Sequence, residues 1–142
     1  MDQVQKKVRI IEPLERFVNR INLVGCYARV SSDSEDQLNS YNNQVDFYES
    51  YVNSLENSKL VKIYTDEGIT GTRMDKRDGF LQMIEDCRKG LINTIITKSI
   101  SRFARNITET LSVVRELKSI GVSVYFMTEK INTAKMGSEM ML

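Results

Sequence analysis

The chain has 142 residues, 41% hydrophobic and 27% charged, with a formal net charge of +1 and no histidine. That fits one domain with a single apolar core, and it excludes both a run of about eighteen apolar residues able to cross a membrane and an apolar secretory leader, so a cytoplasmic protein is expected. Without histidine, Ser-His and Cys-His catalysis and nearly every zinc site are removed, and the two cysteines, Cys26 and Cys87, are too few for a disulfide framework and are expected in the core.

Residues 1–20 carry scattered charge and the single proline, Pro13, and read as an N-terminal extension in which Val8-Arg9-Ile10-Ile11 adds an edge strand. Ile21 to Ser31 is a short apolar run that fits a buried strand, whose period of two places Arg29 and Ser31 on the same side of its end. Ser34 caps a long helix in which Leu38, Tyr41, Val45, Tyr48, Val52 and Leu55 recur at steps of three and four as an inward stripe. Leu60 to Tyr64 reads as a second strand. Asp66 to Gly79 reads as a loop with three glycines that holds Arg73, Lys76 and Arg77, the last left waiting for a partner.

Phe80 to Arg88 is a short helix stopped by Gly90, and Ile92 to Thr97 is a β-branched strand. Ile107 to Ile120 is a helix with Ile107, Leu111, Val114 and Leu117 inward and Gly121 as its stop, followed by a strand from Val122 to Met127. Gly137 to Leu142 begins another helix, capped by Ser138, so that 21–142 reads as one domain cut at the start of an element. Strands alternating with helices predict an α/β sandwich with a largely parallel central sheet flanked by helices, in which ligands sit beyond the carboxyl ends of the strands. Ser31, Asp66 and Lys98 lie at such ends.

Charge is polarised along this chain. Between Ser31 and Ser58 lie six acidic residues and no basic one, whereas from Lys98 to Lys118 five basic residues face only Glu109 and Glu116. A net charge of +1 argues against a self-sufficient nucleic-acid binder, which needs several uncancelled phosphate contacts. Five arginines and one serine could nevertheless converge: Arg29 and Ser31 after the first strand, Arg73 and Arg77 in the glycine-rich loop, Arg102 and Arg105 after the third strand.

Such a set suits chemistry on a phosphodiester. Attack on phosphorus builds negative charge on the nonbridging oxygens, which bidentate guanidinium groups stabilise without a metal, and a serine hydroxyl could be the nucleophile. Arg102 and Arg105, three apart, would share a face of a helical turn. The residues alone leave a second reading open, in which Ser31 belongs to a helix-capping region and the arginines are solvated charge. Phosphate-loop, dinucleotide-binding, nucleophile-elbow and Cys-x-x-Cys motifs are all missing from the sequence.

Tyr27-Ala28-Arg29-Val30-Ser31-Ser32-Asp33 resembles the opening motif of the serine recombinases, the resolvase and invertase family. Tyr64-Thr65-Asp66-Glu67-Gly68-Ile69-Thr70-Gly71-Thr72, then Arg77-Asp78-Gly79-Phe80, then Lys98-Ser99-Ile100-Ser101-Arg102-Phe103-Ala104-Arg105-Asn106 resemble the family's further catalytic-domain blocks in the same order. The likeness covers about Ile21 to Leu142. It implies a resolvase-like three-layer sandwich and a serine that attacks double-stranded DNA at a recombination site. The product is a 5′-phosphoserine link with a free 3′ hydroxyl, and strand exchange within a tetramer and religation follow, without ATP or another cofactor.

Matched residue by residue, the family's nucleophile falls on Ser31 and its phosphate-surrounding arginines on Arg29, Arg77, Arg102 and Arg105. Gln44 matches a glutamine that the family places near the active site, and Asp66, within the second matched block, and Ser101 are further supporting candidates. Ser101 departs from the small resolvases, which have aspartate there, and resembles the large transposon- or phage-borne branch, leaving an arginine or the solvent to protonate the leaving oxygen. The resemblance also implies that DNA-binding regions lie beyond this chain, and that the helix starting near Ser138 builds the dimer and tetramer. The opposing possibility is an inactive α/β domain that binds phosphate or protein.

Overall fold

The computed structural model describes residues 21–31, 34–68, 77–104 and 106–135, with side chains at 21–30, 41–67, 77–104 and 106–135. The extension 1–20, the loop arginine Arg73, Arg105 and the expected helix at 137–142 therefore lie outside the described residues.

The elements run β1 (Asn22–Ser31), α1 (Ser34–Asn53), β2 (Ser58–Gly68), α2 (Asp78–Arg88), β3 (Thr94–Thr97), α3 (Ile100–Phe103), α4 (Ile107–Ser119), β4 (Ser123–Phe126) and β5 (Ile131–Asn132), with a closing 3-10 turn at Thr133–Lys135. They form one sheet in the order β2-β1-β3-β4-β5. The first four strands are parallel, and only β5 is antiparallel, paired to β4 through Tyr125–Asn132 and Phe126–Ile131. This is the largely parallel α/β sandwich that the alternation of apolar runs predicts.

Two apolar clusters fill the spaces above and below the sheet. On one face Tyr27, Tyr64, Ile95, Val124 and Phe126 meet Phe80, Met83, Ile84 and Cys87 of α2, Phe103 of α3, and Val114 and Leu117 of α4. On the other, Val24, Cys26, Ala28 and Ile96 meet Tyr48 and Val52 of α1. The larger cluster is threaded by edge-to-face rings, Tyr27 on Phe80 at 5.4 Å, Phe80 on Phe103 at 5.1 Å and Phe103 on Phe126 at 5.3 Å. Glycine ends both longer helices of this layer, Gly90 at φ +79° and Gly121 at φ +81°, a left-handed conformation that a Cβ resists.

Several expectations are corrected. β2 does not end at Tyr64 but continues to Gly68, because its backbone pairing with β1 runs on through Arg29–Asp66 and Ser31–Gly68 whatever the side-chain polarity. Asp66 is thus a buried strand residue rather than the start of a loop. Ile107 is 62% exposed, since the inward face of α4 is set one turn later by Thr110, Val114 and Leu117. Tyr41, at 36% exposure, also stands off the core, which α1 meets through Tyr48 and Val52. The short α3 and the two-residue β5 were not foreseen. Both cysteines are buried and unpaired, as expected.

Candidate active site

The connection from β1 leads outward to β2, and the next returns past β1 to β3, so the strand order reverses between β1 and β3. Chain segments leaving the carboxyl ends diverge at such a point and open a crevice. Ser31 is the last residue of β1, its backbone paired with Gly68, and Lys98 directly follows β3.

Arg29, half-buried two residues before the end of β1, lies opposite Asp66 in the β1–β2 register. Arg102, exposed in the last turn of α3, sends Nη1 back to the Arg29 carbonyl oxygen at 3.1 Å. The helix after β3 is thereby fastened to the end of the strand that carries Ser31. Ser101 is exposed one residue earlier, its Oγ 3.1 Å from Ser99 Oγ. The helical turn that carries Arg102 stops at Phe103, and Ala104 is extended at φ −143° and ψ 163°, while Arg105, expected to share that turn, lies outside the described residues.

Asp66 turns inward. Its Oδ2 accepts from Tyr27 Oη at 2.7 Å and from the Phe80 amide at 3.0 Å, and its Oδ1 accepts from the Gly79 amide at 2.7 Å. A carboxylate from β2 thus satisfies the amides that the first turn of α2 leaves open, where the helix dipole also favours negative charge. Gly79 permits the approach, because a Cβ there would lie 2.3 Å from the Thr65 carbonyl oxygen and 3.0 Å from Asp66 Oδ1. Burial, and then the bond to Asp66, push the Tyr27 hydroxyl well above its ordinary value and keep it a neutral donor.

Arg77 does not wait for a partner. Its Nη1 meets Glu109 Oε1 at 2.5 Å, its Nη2 donates to the Phe103 carbonyl oxygen, and its guanidinium carbon lies 3.9 Å from the centre of the Phe80 ring. The side chain is only 12% exposed, and Nε is buried without a hydrogen-bond partner among the described residues. Sequence reasoning missed Glu109 as a partner. The Asn106-x-x-Glu109 spacing was a usable signal for a capped helix start, and Asn106 Oδ1 does accept from the Glu109 amide at 2.8 Å, while the Glu109 carboxylate reaches Arg77.

Gln44 sits on the opposite side of the sheet. Half-buried in α1, it lines a cleft of about 550 Å³ with Asn43, Phe47, Tyr48, Lys98 and Met127. The Tyr48 hydroxyl behind it donates to the Tyr27 carbonyl oxygen at 3.1 Å, and burial raises it to about 12. Burial also raises both thiols to about 12, which keeps them protonated and unreactive near neutral pH. Among the described residues no cluster of three or more His, Cys, Asp or Glu side chains could hold a metal ion, and no helix is long and apolar enough to cross a membrane.

A doubly wound α/β domain in which Arg102, just after β3, is tied to the backbone of Arg29 near the carboxyl end of the adjacent strand β1 is the class that fold and site define. Within it, this chain belongs to the resolvase family: residues 24–142 match the family described as Resolvase, N terminal domain. It is 31% identical to the transposon Tn552 resolvase of Staphylococcus aureus over 115 residues, covering 77% of this chain and 48% of that protein. It is also 31% identical to the transposon Tn552 DNA-invertase BinR of the same organism, over 79% of this chain and 50% of the other. The chain therefore spans about half the length of the curated relatives it matches. The crystal structure of the N-terminal catalytic domain of TP901-1 integrase is similar, with a TM-score of 0.64 and 25% identity over 83% of this chain and 87% of that one.

Proposed function

We propose that this chain is the catalytic domain of a site-specific DNA recombinase in which Ser31 is the nucleophile. Its Oγ attacks the scissile phosphorus: a serine O–P bond forms, the bond from phosphorus to the 3′ oxygen breaks, and the 3′ oxygen leaves as a hydroxyl. The 5′ phosphate stays esterified to Ser31, so the bond energy is conserved for religation after strand exchange. Arg29, Arg102 and Arg105 stabilise the charge that grows on the nonbridging oxygens, and Arg77 completes the arginine set from the side of α2.

Ser101 cannot serve as a carboxylate acid, which leaves the leaving oxygen to be protonated by an arginine or by water. Gln44 and Asp66 have supporting roles, Asp66 by holding the start of α2. On this reading 21–142 is a catalytic domain, sequence-specific DNA contacts belong to regions outside it, and dimer and tetramer assembly belongs to the full-length protein. The Ser101 match and the likeness to an integrase domain support a place near the transposon- and phage-borne members.

The observation that supports the proposal is the bond from Arg102 to the Arg29 carbonyl, two residues before Ser31. The test is incubation of the full-length protein with duplex DNA bearing its recombination site, followed by denaturing electrophoresis for a protein–DNA adduct. A serine-linked 5′ adduct is the expected result, and noncovalent phosphate binding alone would overturn it.

A further inference from the structure

Arg77 makes two bonds that straddle one short piece of chain. Nη2 holds the carbonyl oxygen of Phe103, the last residue of α3, while Nη1 holds the carboxylate of Glu109 in the first turn of α4. Between these two anchors lie the five positions 104–108, and directly before them lies Arg102. A carbonyl at a helix C-terminus has no partner within the helix, and a guanidinium is well suited to satisfy it. With a side-chain exposure of 12%, a ring beneath it and a carboxylate 2.5 Å away, Arg77 faces protein groups on several sides. A buried guanidinium needs such a counter-charge, and Glu109 supplies it.

We infer that Glu109 is a positioning residue for the reaction proposed above, acting through Arg77 to hold the Phe103 carbonyl at the end of α3 and so to aim the neighbouring Arg102. The inference rests on the recombinase reading. Glu109 need not touch DNA: it fixes Arg77, and Arg77 fixes the end of the short helix from which Arg102 projects. Small misplacements of groups that must meet a phosphate cost large factors in rate, so the clamp acts on the chemical step rather than on DNA affinity.

The experiment times adduct formation by the full-length protein on duplex DNA carrying the recombination site, with DNA saturating and every variant held well below its own melting midpoint. Glu109→Gln, Arg77→Ala and the double variant are compared with the unaltered protein, and half-saturating DNA concentrations are measured alongside. Glu109→Gln is expected to slow adduct formation roughly ten- to a hundredfold with the half-saturating DNA concentration little changed. Adding Glu109→Gln to Arg77→Ala should bring almost no further loss, because both act through one contact.

Glu109→Asp, which keeps the charge at shorter reach, should fall between Glu109→Gln and the unaltered protein, and it preserves the comparison if Glu109→Gln folds poorly. Equal or faster cleavage by Glu109→Gln would overturn the inference, showing that the carboxylate merely restrains Arg77. Additive losses in the double variant, or losses that follow the melting curves across all four Glu109 and Arg77 variants, would overturn it as well. Failure of the unaltered protein to form any adduct would instead strike the recombinase reading itself.

Discussion

The Tyr27 hydroxyl on β1 donates to Asp66 on β2 across 2.7 Å, and the same carboxylate receives the Gly79 and Phe80 amides at the start of α2. One buried side chain thereby joins two strands and a helix beneath the carboxyl edge. Asp66→Ala leaves a hydroxyl and two amides to find other acceptors and is expected to cost about 2 kcal/mol, in line with the loss of a cap and of buried hydrogen bonds. Denaturant unfolding measures it; a loss within the error of the method would show that the carboxylate is dispensable to the fold.

Gly79→Ala should destabilise by about 1–3 kcal/mol, because the added methyl meets the Thr65 carbonyl oxygen of the sheet rather than a flexible side chain. At Gly90 nothing lies within 4 Å of a built Cβ, so Gly90→Ala carries only the cost of its φ of +79°, about 1 kcal/mol. Melting curves of the two variants should therefore rank Gly79→Ala lower, and the reverse order would contradict the close approach of α2 to β2.

Alkaline pH should unfold the domain from its core. Burial lifts the Cys26 and Cys87 thiols from 9.0 to about 12, and the Tyr27 and Tyr64 hydroxyls shift upward as well. A group whose folded value is raised contributes stability fully below its unfolded value and loses it as pH climbs toward the folded one. The melting temperature should thus hold to about pH 9 and fall steadily above it, with both thiols slow toward a disulfide reagent at pH 8. Rapid labelling at pH 8 by the folded protein would contradict the burial.

Arg102→Ala should suppress adduct formation strongly while costing about 1 kcal/mol or less of stability, since the side chain is exposed and gives up one hydrogen bond to a backbone carbonyl. Cleavage and melting measured on the same preparation decide this. A melting loss large enough to explain the lost activity would make Arg102 a structural tie.

Strands β1, β3 and β4 and helices α1, α2 and α4 were legible because their apolar runs carry the local period, with glycine marking the ends of α2 and α4. The extension of β2 through Thr65, Asp66 and Glu67 was not, because those polar residues look like loop while the backbone pairing that holds them comes from β1. Strand β5 is two residues long, too short for any period to show. At the site, the order of Arg29, Ser31, Arg102 and Arg105 was readable from motifs, whereas the capture of Arg77 by Glu109 joins residues 32 apart and follows only from the packing of α2 against α3 and α4. The same distance hid the role of Asp66, whose two amide donors begin 13 residues downstream.

The most direct test of the recombinase account is the adduct formed on recombination-site DNA by the full-length protein carrying Ser31→Ala or Ser32→Ala. Ser31 ends β1, the strand whose Arg29 carbonyl holds Arg102. The account predicts that Ser31→Ala abolishes the covalent band while Ser32→Ala retains it, with both variants folded. A band that survives in Ser31→Ala and vanishes only in Ser32→Ala would contradict it.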